Sequence, residues 1–355
     1  MKKKILFIIP SMRGGGSERV ISTILNYLSR DRFEIILVLL QKEGKYLDEL
    51  PNDIEIIDLD VKQARYAIFD IIKVIKQRKP NIVFSTLGYL NILISIIRPF
   101  FSKKIKFIAR ESSIVSIQNQ QEKYPKIFDF LFRNFYKNFD LIISQSNYMK
   151  NDLVENYKIS SEKIVTINNP IDFKNITTLA KEEMQEKVDI LVVGRVDKNK
   201  NFKDIIEILP TLKERTLTIL GDGILYKELK ELVQKLGLEK RVYFLGFQKN
   251  PYKYMKKANL LVLTSLYEGF PNVILEANAL GTPVVAYSCK GGTREIVLDG
   301  QNGFLVECQN KKSLKKKIKD VVSYGFKSDK IIDMTFKQYN VDKIIQEYEE
   351  AYDRV

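Results

Sequence analysis

The feature that most constrains this chain is a recurrent alternation of short aliphatic runs with longer amphipathic stretches. KILFII, FEIILVLL, IEIIDL, NIVFST, KIKFIA and DLIISQS form a first series of runs. After IVTINNPID the cycle restarts with VDILVVG, LTILG, VYFLG, NLLVLTS and PVVAYS. Continuous apolar runs, unlike strict apolar–polar alternation, mark strands buried on both faces, with helices as the crossovers between them. The pattern therefore predicts an α/β chain with two doubly wound parallel sheets. Its 355 residues also exceed the size at which one core keeps growing. The turn residues Asn168-Asn169-Pro170 close the first series, dividing the chain into residues 1–169 and 170–335. The last segment, FKQYNVDKIIQEYEEAYDRV, reads as an appended helix over about 336–355.

Composition removes several classes of chemistry. The chain has no histidine, which excludes Ser-His-Asp triads, histidine metal sites and histidine bases. Cys289 and Cys308 are too few and too unpatterned for a disulfide framework or a zinc site, and read as small packing residues. Asp58-Leu59-Asp60 imitates a D-x-D metal motif but ends a strand, and no metal is expected. A formal net charge of +14 favours anionic partners, although a solvated lysine-rich surface accounts for it equally well. No nucleic-acid-binding signature accompanies the charge, so nucleic acid is not the expected partner.

The longest apolar stretch, Leu87 to Phe101, falls short of the roughly 18 residues a bilayer span needs, and Asn91, Arg98 and Pro99 break it. The opening MKKKILFII resembles a leader, but Ile5 to Ile9 reads better as a buried first strand. A cytoplasmic protein is expected.

In open parallel sheets ligands sit beyond the carboxyl ends of strands, so the chemistry should lie in the loops there. SMRGGGSERV follows the first strand and opens a helix, with Ser17 as the expected N-cap. Its glycines, Gly14 to Gly16, let backbone N–H groups approach an anion. The spacing is neither a dinucleotide fingerprint nor a P-loop. In VVGRVDKNKNF, Arg195 and Lys200 have the charge to neutralise a diphosphate. LGDG is a strand-to-helix turn, and FLGFQKN offers the Phe247 ring as a wall for a base.

TSLYEGFPNVILEANALGTPVV places Glu268 at a strand end and Glu276 inside the following helix. Pro271 suits the first helical turn. Glu276 then lies roughly 7–8 Å further along the axis, where a carboxylate can accept both hydroxyls of a ribose. The N–H groups near Gly269 and Phe270 can meet a sugar or phosphate. Glu268 can hold hydroxyls of a second ring.

E-G-F-P-N-x-x-x-E with A-x-x-x-G-x-P-V-V, then GGTREIV and DGQNGFLV, closely resembles the retaining glycosyltransferases of family 4, which have the GT-B fold. GRVDKNK, SMRGGGSERV and INNPID match the same family, so the resemblance covers nearly the whole chain. It implies a first domain that binds the acceptor, a second that binds a nucleotide-sugar donor, and a terminal helix returning to the first. It further implies Glu276 on the donor ribose, Arg195 and Lys200 on the diphosphate, and Glu268 on the transferred sugar. Gly15 and Gly16 would give backbone contacts to the donor phosphates. The donor implied is UDP- or GDP-linked, here a UDP-sugar, with no bound metal and no other cofactor.

Many family members carry a histidine after the strand that corresponds to KFIA. This chain has Arg110 and Glu111 there. Glu111 is a candidate to accept or orient an acceptor proton, and Arg110 a candidate for a phosphate; an ion pair capping the strand is the structural alternative. In a retaining front-face mechanism the leaving phosphate can itself serve as base.

Tyr124, Ile127, Phe128, Leu131, Phe132, Phe135, Tyr136 and Phe139 recur at helical spacing, with Lys126, Arg133 and Lys137 on other faces. The stripe reads as core or as an interfacial helix on anionic lipid. If it touches membrane, the acceptor is a lipid-linked saccharide, as in bacterial surface-glycan synthesis, and the protein sits on the inner face of the cell membrane. The alternatives are a sugar-nucleotide epimerase or hydrolase on the same fold and, more remotely, a basic nucleic-acid-binding protein.

Overall fold

The computed structural model describes residues 2–184 and 188–355. They form two compact units, Met1–Pro170 with Val341–Val355, and Ile171–Asn340.

The first unit holds seven strands: β1 (Lys3–Ile9), β2 (Phe33–Leu39), β3 (Glu55–Asp58), β4 (Ile82–Thr86), β5 (Lys106–Arg110), β6 (Leu141–Ser144) and β7 (Ile164–Thr166). All pair in parallel, in the order β3-β2-β1-β4-β5-β6-β7. The apolar runs have the role their continuity demands. On β1, Ile5, Phe7 and Ile9 enter one core cluster while Leu6 and Ile8 enter the cluster on the opposite face, all essentially without solvent exposure. Each such side chain contributes about 1.5–3 kcal/mol of burial.

The terminal helix spans Val341–Asp353 and lays Ile344, Ile345, Tyr348 and Tyr352 against the first of these clusters. It starts five residues later than the expected helix. Phe336 to Tyr339 instead end a separate helix, Ser328–Tyr339, which belongs to the second unit.

The second unit contains β8 (Val188–Val193), β9 (Leu217–Leu220), β10 (Val242–Gly246), β11 (Ala258–Leu263), β13 (Val284–Tyr287) and β15 (Gly303–Val306), again all parallel. Their order is β10-β9-β8-β11-β13-β15. A two-residue ladder, β12 (Tyr267–Glu268) on β14 (Lys290–Gly291), lies beside it in the chain. Both sheets reverse their order once, between β1 and β4 and between β8 and β11, which creates a crevice at each switch point.

The edge strands β7 and β15 were not among the expected runs. Each is short, three and four residues, and β15 opens on a glycine, so neither produces a clear apolar signal.

The aromatic stripe of residues 124–139 divides in two. Phe132, Tyr136 and Phe139 are buried in the first unit's core, and Phe128 and Leu131 pack partly against it. Tyr124, Ile127 and Phe130 are more than half exposed. Among the described residues, no helix is long and apolar enough to cross a membrane.

Candidate active site

The switch point of the second sheet is built by the loops after β8 and β11. Gly194 to Asn201 leave β8, and Thr264 to Pro271 leave β11. The two loops are stitched together by backbone. Leu266 N donates to Asn199 O at 2.9 Å, the Asn199 amide donates to Tyr267 O, and Tyr267 N donates back to Asn199 Oδ1. The Thr264 hydroxyl donates to Lys200 O at 2.9 Å. This lattice fixes where Lys200 and Glu268 emerge. Lys200 Nζ lies 2.5 Å from Glu268 Oε1, both side chains largely shielded from water.

The LGDG turn locks the β8 loop from the other side. Gly221 has φ +139, and a Cβ on it would lie 1.8 Å from Gly194 O. Only glycine admits that approach. The Gly221 N–H donates to Gly246 O, and Val196 N donates to Asp222 O. A turn unspecific by sequence thus wedges three loops into register.

Glu276 sits on the helix Asn272–Ala279 and is 3 % exposed. The helix begins one residue after Pro271, which serves as its N-cap rather than its first helical residue. Phe270 turns its ring inward, 5.9 Å from Tyr339 and 6 % exposed, so only its backbone is left for a ligand. Gly269 O accepts from Gly292 N at 2.9 Å, which ties the corner to the GGTREIV segment. Arg195 is well exposed, with Nε 3.6 Å from Asp197 Oδ2. Phe247 is 62 % exposed just beyond the carboxyl end of β10.

In the first unit the glycine-rich loop leads into the helix Gly16–Tyr27. The N-cap is Gly15, with no side-chain cap, and Ser17 lies inside the first turn, contrary to expectation. The Glu18 carboxylate folds back over the loop: a Cβ on Gly15 would meet Glu18 Oε2 at 2.3 Å. Lys45, not singled out by sequence, lays its aliphatic chain over Gly14. Its loop follows β2, far in sequence, so no local motif could have found it.

Arg110 ends β5 and Glu111 follows it. Both are fully buried, and they face different partners rather than each other. Arg110 Nε donates to Tyr348 Oη at 2.9 Å and Nη2 to Asn169 Oδ1 at 2.8 Å, pinning the terminal helix to β5. Glu111 Oε1 accepts from Asn91 Nδ2 at 2.7 Å and from the Tyr136 hydroxyl. Burial pushes the Glu111 carboxyl up to about 8, against the pull of the Asn91 hydrogen bond and the Arg110 charge. One atom of each, Arg110 Nη1 and Glu111 Oε2, is buried without a hydrogen-bond partner among the described residues. The capping ion pair is replaced by two separate buried networks.

Asp58 Oδ1 accepts from the backbone N–H groups of Lys42 and Asp60, so the D-x-D motif caps a strand end. Cys289 and Cys308 are free thiols, Cys289 buried and its thiol pushed up to about 12, chiefly by burial.

Comparison with known proteins agrees with this architecture. Residues 14–175 match the model of Glycosyltransferase Family 4, and residues 176–338 that of Glycosyl transferases group 1. The chain is 34% identical over 333 residues to the N-acetylgalactosamine-N,N'-diacetylbacillosaminyl-diphospho-undecaprenol 4-alpha-N-acetylgalactosaminyltransferase of Campylobacter jejuni, covering 90% of each. It is 27% identical to the lipopolysaccharide 1,6-galactosyltransferase of Salmonella typhimurium, covering 85% of each. Among solved structures, Anabaena HepE in complex with UDP superposes with a TM-score of 0.83 at 22% identity, over 99% of this chain and 100% of that one. Sucrose-phosphate synthase from Thermosynechococcus elongatus superposes at 0.85 with 16% identity, over 99% of each. With two sheets that each switch order once, and with this similarity along nearly its whole length, the chain belongs to the family 4 glycosyltransferases of the GT-B fold.

Proposed function

We propose that this glycosyltransferase moves a hexosyl group from a UDP-sugar to a lipid-linked saccharide, with retention of configuration and without a bound metal, in bacterial surface polysaccharide or glycoconjugate synthesis. The observation that carries the reading is the Lys200–Glu268 pair at the β8/β11 switch point. It sets a cation for a diphosphate beside a carboxylate for sugar hydroxyls, which is the junction a nucleotide sugar presents. The names of relatives point the same way: one acts on an undecaprenol-diphosphate saccharide, and one neighbour is complexed with UDP.

In this reading the acceptor hydroxyl attacks the anomeric carbon on the face from which the diphosphate departs. The bond from that carbon to the β-phosphate oxygen breaks with its electron pair on oxygen. That oxygen takes the hydroxyl proton, leaving a glycoside and UDP. Lys200 and Arg195 neutralise the charge that develops on the diphosphate. Glu268 holds hydroxyls of the transferred sugar, and Glu276 those of the ribose. On the second unit Gly269 and Phe270 offer N–H groups to a sugar or phosphate, and Phe247 flanks the base. Arg110 remains a candidate for a phosphate and Glu111 for an acceptor proton or hydroxyl, through the atoms that their buried networks leave unpartnered.

The exposed Tyr124, Ile127 and Phe130, bordered by Lys123, Lys126 and Arg133, support peripheral attachment to the anionic inner face of the cell membrane, where such an acceptor resides.

The test is thermal stabilisation by UDP, GDP and ADP, on wild type and Glu276→Ala. A ligand at 100 times its dissociation constant stabilises the native state by about 2.7 kcal/mol. A UDP-selective shift lost in Glu276→Ala supports the donor assignment. Acceptor-dependent transfer then separates a transferase from an epimerase or hydrolase. No shift with any nucleotide in a folded sample overturns the reading.

A further inference from the structure

Three helices of the first unit, Val115–Asn119, Pro125–Phe135 and Asn147–Tyr157, meet away from every residue assigned to the donor. Between them opens a cavity of about 240 Å³, lined by Ser116, Gln120, Asp129, Arg133, Asn156 and Tyr157. A cavity of about 150 Å³ admits a benzene ring, so this one has room for roughly nine non-hydrogen atoms. We propose that it receives the headgroup of an aminophospholipid, with the primary ammonium at Asp129 and the phosphate at Arg133. The inference rests on the membrane attachment read above from Tyr124, Ile127 and Phe130, and names a lipid that this attachment selects.

An ion pair held apart gives the cavity its chemistry. Asp129 precedes Arg133 by one helical turn, the spacing and order at which opposite charges pair. They do not pair here: among the described residues, Arg133 has no carboxylate within ion-pair distance. Asp129 is drawn across to the neighbouring helices instead. Its Oδ1 accepts from the Tyr157 hydroxyl at 2.8 Å and from Asn119 Nδ2 at 3.0 Å. Its Oδ2 accepts from Gln120 Nε2 at a long 3.3 Å, which leaves lone-pair capacity for an ammonium. The exposed Arg133 guanidinium keeps its fork of donors for a phosphate.

A second carboxylate makes the cavity select for the amine. Asp152 is buried behind its wall, where it accepts from Ser116 N at 3.1 Å, from the Ser116 hydroxyl and from Asn156 Nδ2 at 2.9 Å. Among the described residues, neither Asp129 nor Asp152 forms an ion pair with a lysine or arginine. Tyr157 adds no positive charge. Burial first, then the hydrogen bond and charge of Asp129 and the charge of Asp152, push its phenol above the ordinary value, so it keeps its proton. Two carboxylates thus stand against one guanidinium. A phosphate without an amine gains Arg133 but meets both carboxylates, whereas a zwitterion satisfies both ends.

The neighbouring surface makes the occupant a lipid. Tyr124, Ile127 and Phe130, at the start of and along the helix Pro125–Phe135, are more than half exposed. Asp129 and Arg133 lie roughly a third of a turn from that row around the same helix. A headgroup in the cavity therefore keeps its acyl chains beside the apolar row. A primary ammonium brings three N–H donors to the carboxylates, and the quaternary ammonium of a choline lipid brings none.

Flotation of the full chain with two kinds of vesicle tests this. Both contain equal parts of phosphatidylglycerol and a second lipid, either phosphatidylcholine or phosphatidylethanolamine. We expect the ethanolamine lipid to raise partition about tenfold, the scale of one charge-assisted hydrogen bond. Asp129→Asn removes a carboxylate, so it should strengthen binding to the choline vesicles slightly while abolishing the ethanolamine gain. Arg133→Gln should weaken binding to both vesicles and also abolish the gain. Melting curves accompany both variants, and Arg133→Gln, at an exposed position, carries the test if Asp129→Asn unfolds. A gain that survives either substitution in a folded variant reports lipid packing and overturns the inference. So does a saturation-transfer NMR signal from glycerophosphoethanolamine without any vesicle gain, which makes the ligand a free zwitterion. Binding to both vesicles with no ethanolamine gain overturns the inference alone. Binding to neither overturns the membrane reading and this inference with it.

Discussion

Lys200 Nζ and Glu268 Oε1 stand 2.5 Å apart although 68 residues separate them in the chain. Their loops leave neighbouring strands, β8 and β11, at the point where the second sheet reverses its order. A cation and a carboxylate so placed neutralise each other without ligand, and each loses its partner when the other is removed.

Lys200→Met leaves the Glu268 carboxylate largely buried and unpaired. Stability should fall by about 1–3 kcal/mol, the cost of stranding one partner of a shielded polar pair. Transfer should fall about 100-fold or more, since a group facing the developing diphosphate charge is gone. Denaturant unfolding and kcat/KM check the two effects. Wild-type kcat/KM in a destabilised variant would remove Lys200 from the site.

Gly221→Ala tests the wedge that sets the β8 loop. A Cβ would have to pass through Gly194 O, and φ +139 is strained for alanine. The variant should be destabilised by more than about 1 kcal/mol and should bind UDP more weakly, because Arg195 and Lys200 leave the same loop. Unchanged stability and UDP affinity would show that the loop tolerates the shift.

Glu111 predicts an inverted pH dependence. Burial pushes its carboxyl up to about 8 in the folded protein, from an ordinary value of 4.5. Between these values the native state holds a proton that the unfolded chain releases, so this group's contribution to stability falls as pH rises from about 4.5 to about 8 and is flat above. Glu111→Gln should flatten the decline in Tm across that window. A Tm profile identical to wild type would mean that Glu111 is ionised in its buried network.

The exposed row Tyr124, Ile127 and Phe130 is expected to bind vesicles containing phosphatidylglycerol and to release them at high salt, because lysines and Arg133 border it. Ile127→Glu with Phe130→Glu should abolish sedimentation with such vesicles while leaving the fold and UDP binding intact. Undiminished sedimentation would place the membrane contact elsewhere.

Much of this protein is legible in one dimension because its dominant forces are local or periodic. Apolar runs such as Leu6-Phe7-Ile8 can only be strands covered on both faces, and that covering requires helices between them. The glycines and Glu268 fall in loops after strands and Glu276 in the helix that follows one, and that position marks them as candidates. The edge strands β7 and β15 escaped because three or four residues carry too little pattern. Arg110 and Glu111 look accessible in sequence as adjacent charged residues at a strand end, whereas successive side chains point to opposite faces and both faces are covered.

The sequence by itself thus determined the fold class, two parallel sheets and the loops that carry chemistry, since hydrophobic period and turn residues act over a few positions. Tertiary structure decided which of those groups meet. The crossover order brings Lys200 to Glu268, the close approach of Gly221 to Gly194 fixes their loop, and burial withdraws Arg110 and Glu111 from solvent. These are contacts between residues far apart in the chain, and only the packed sheet brings them together.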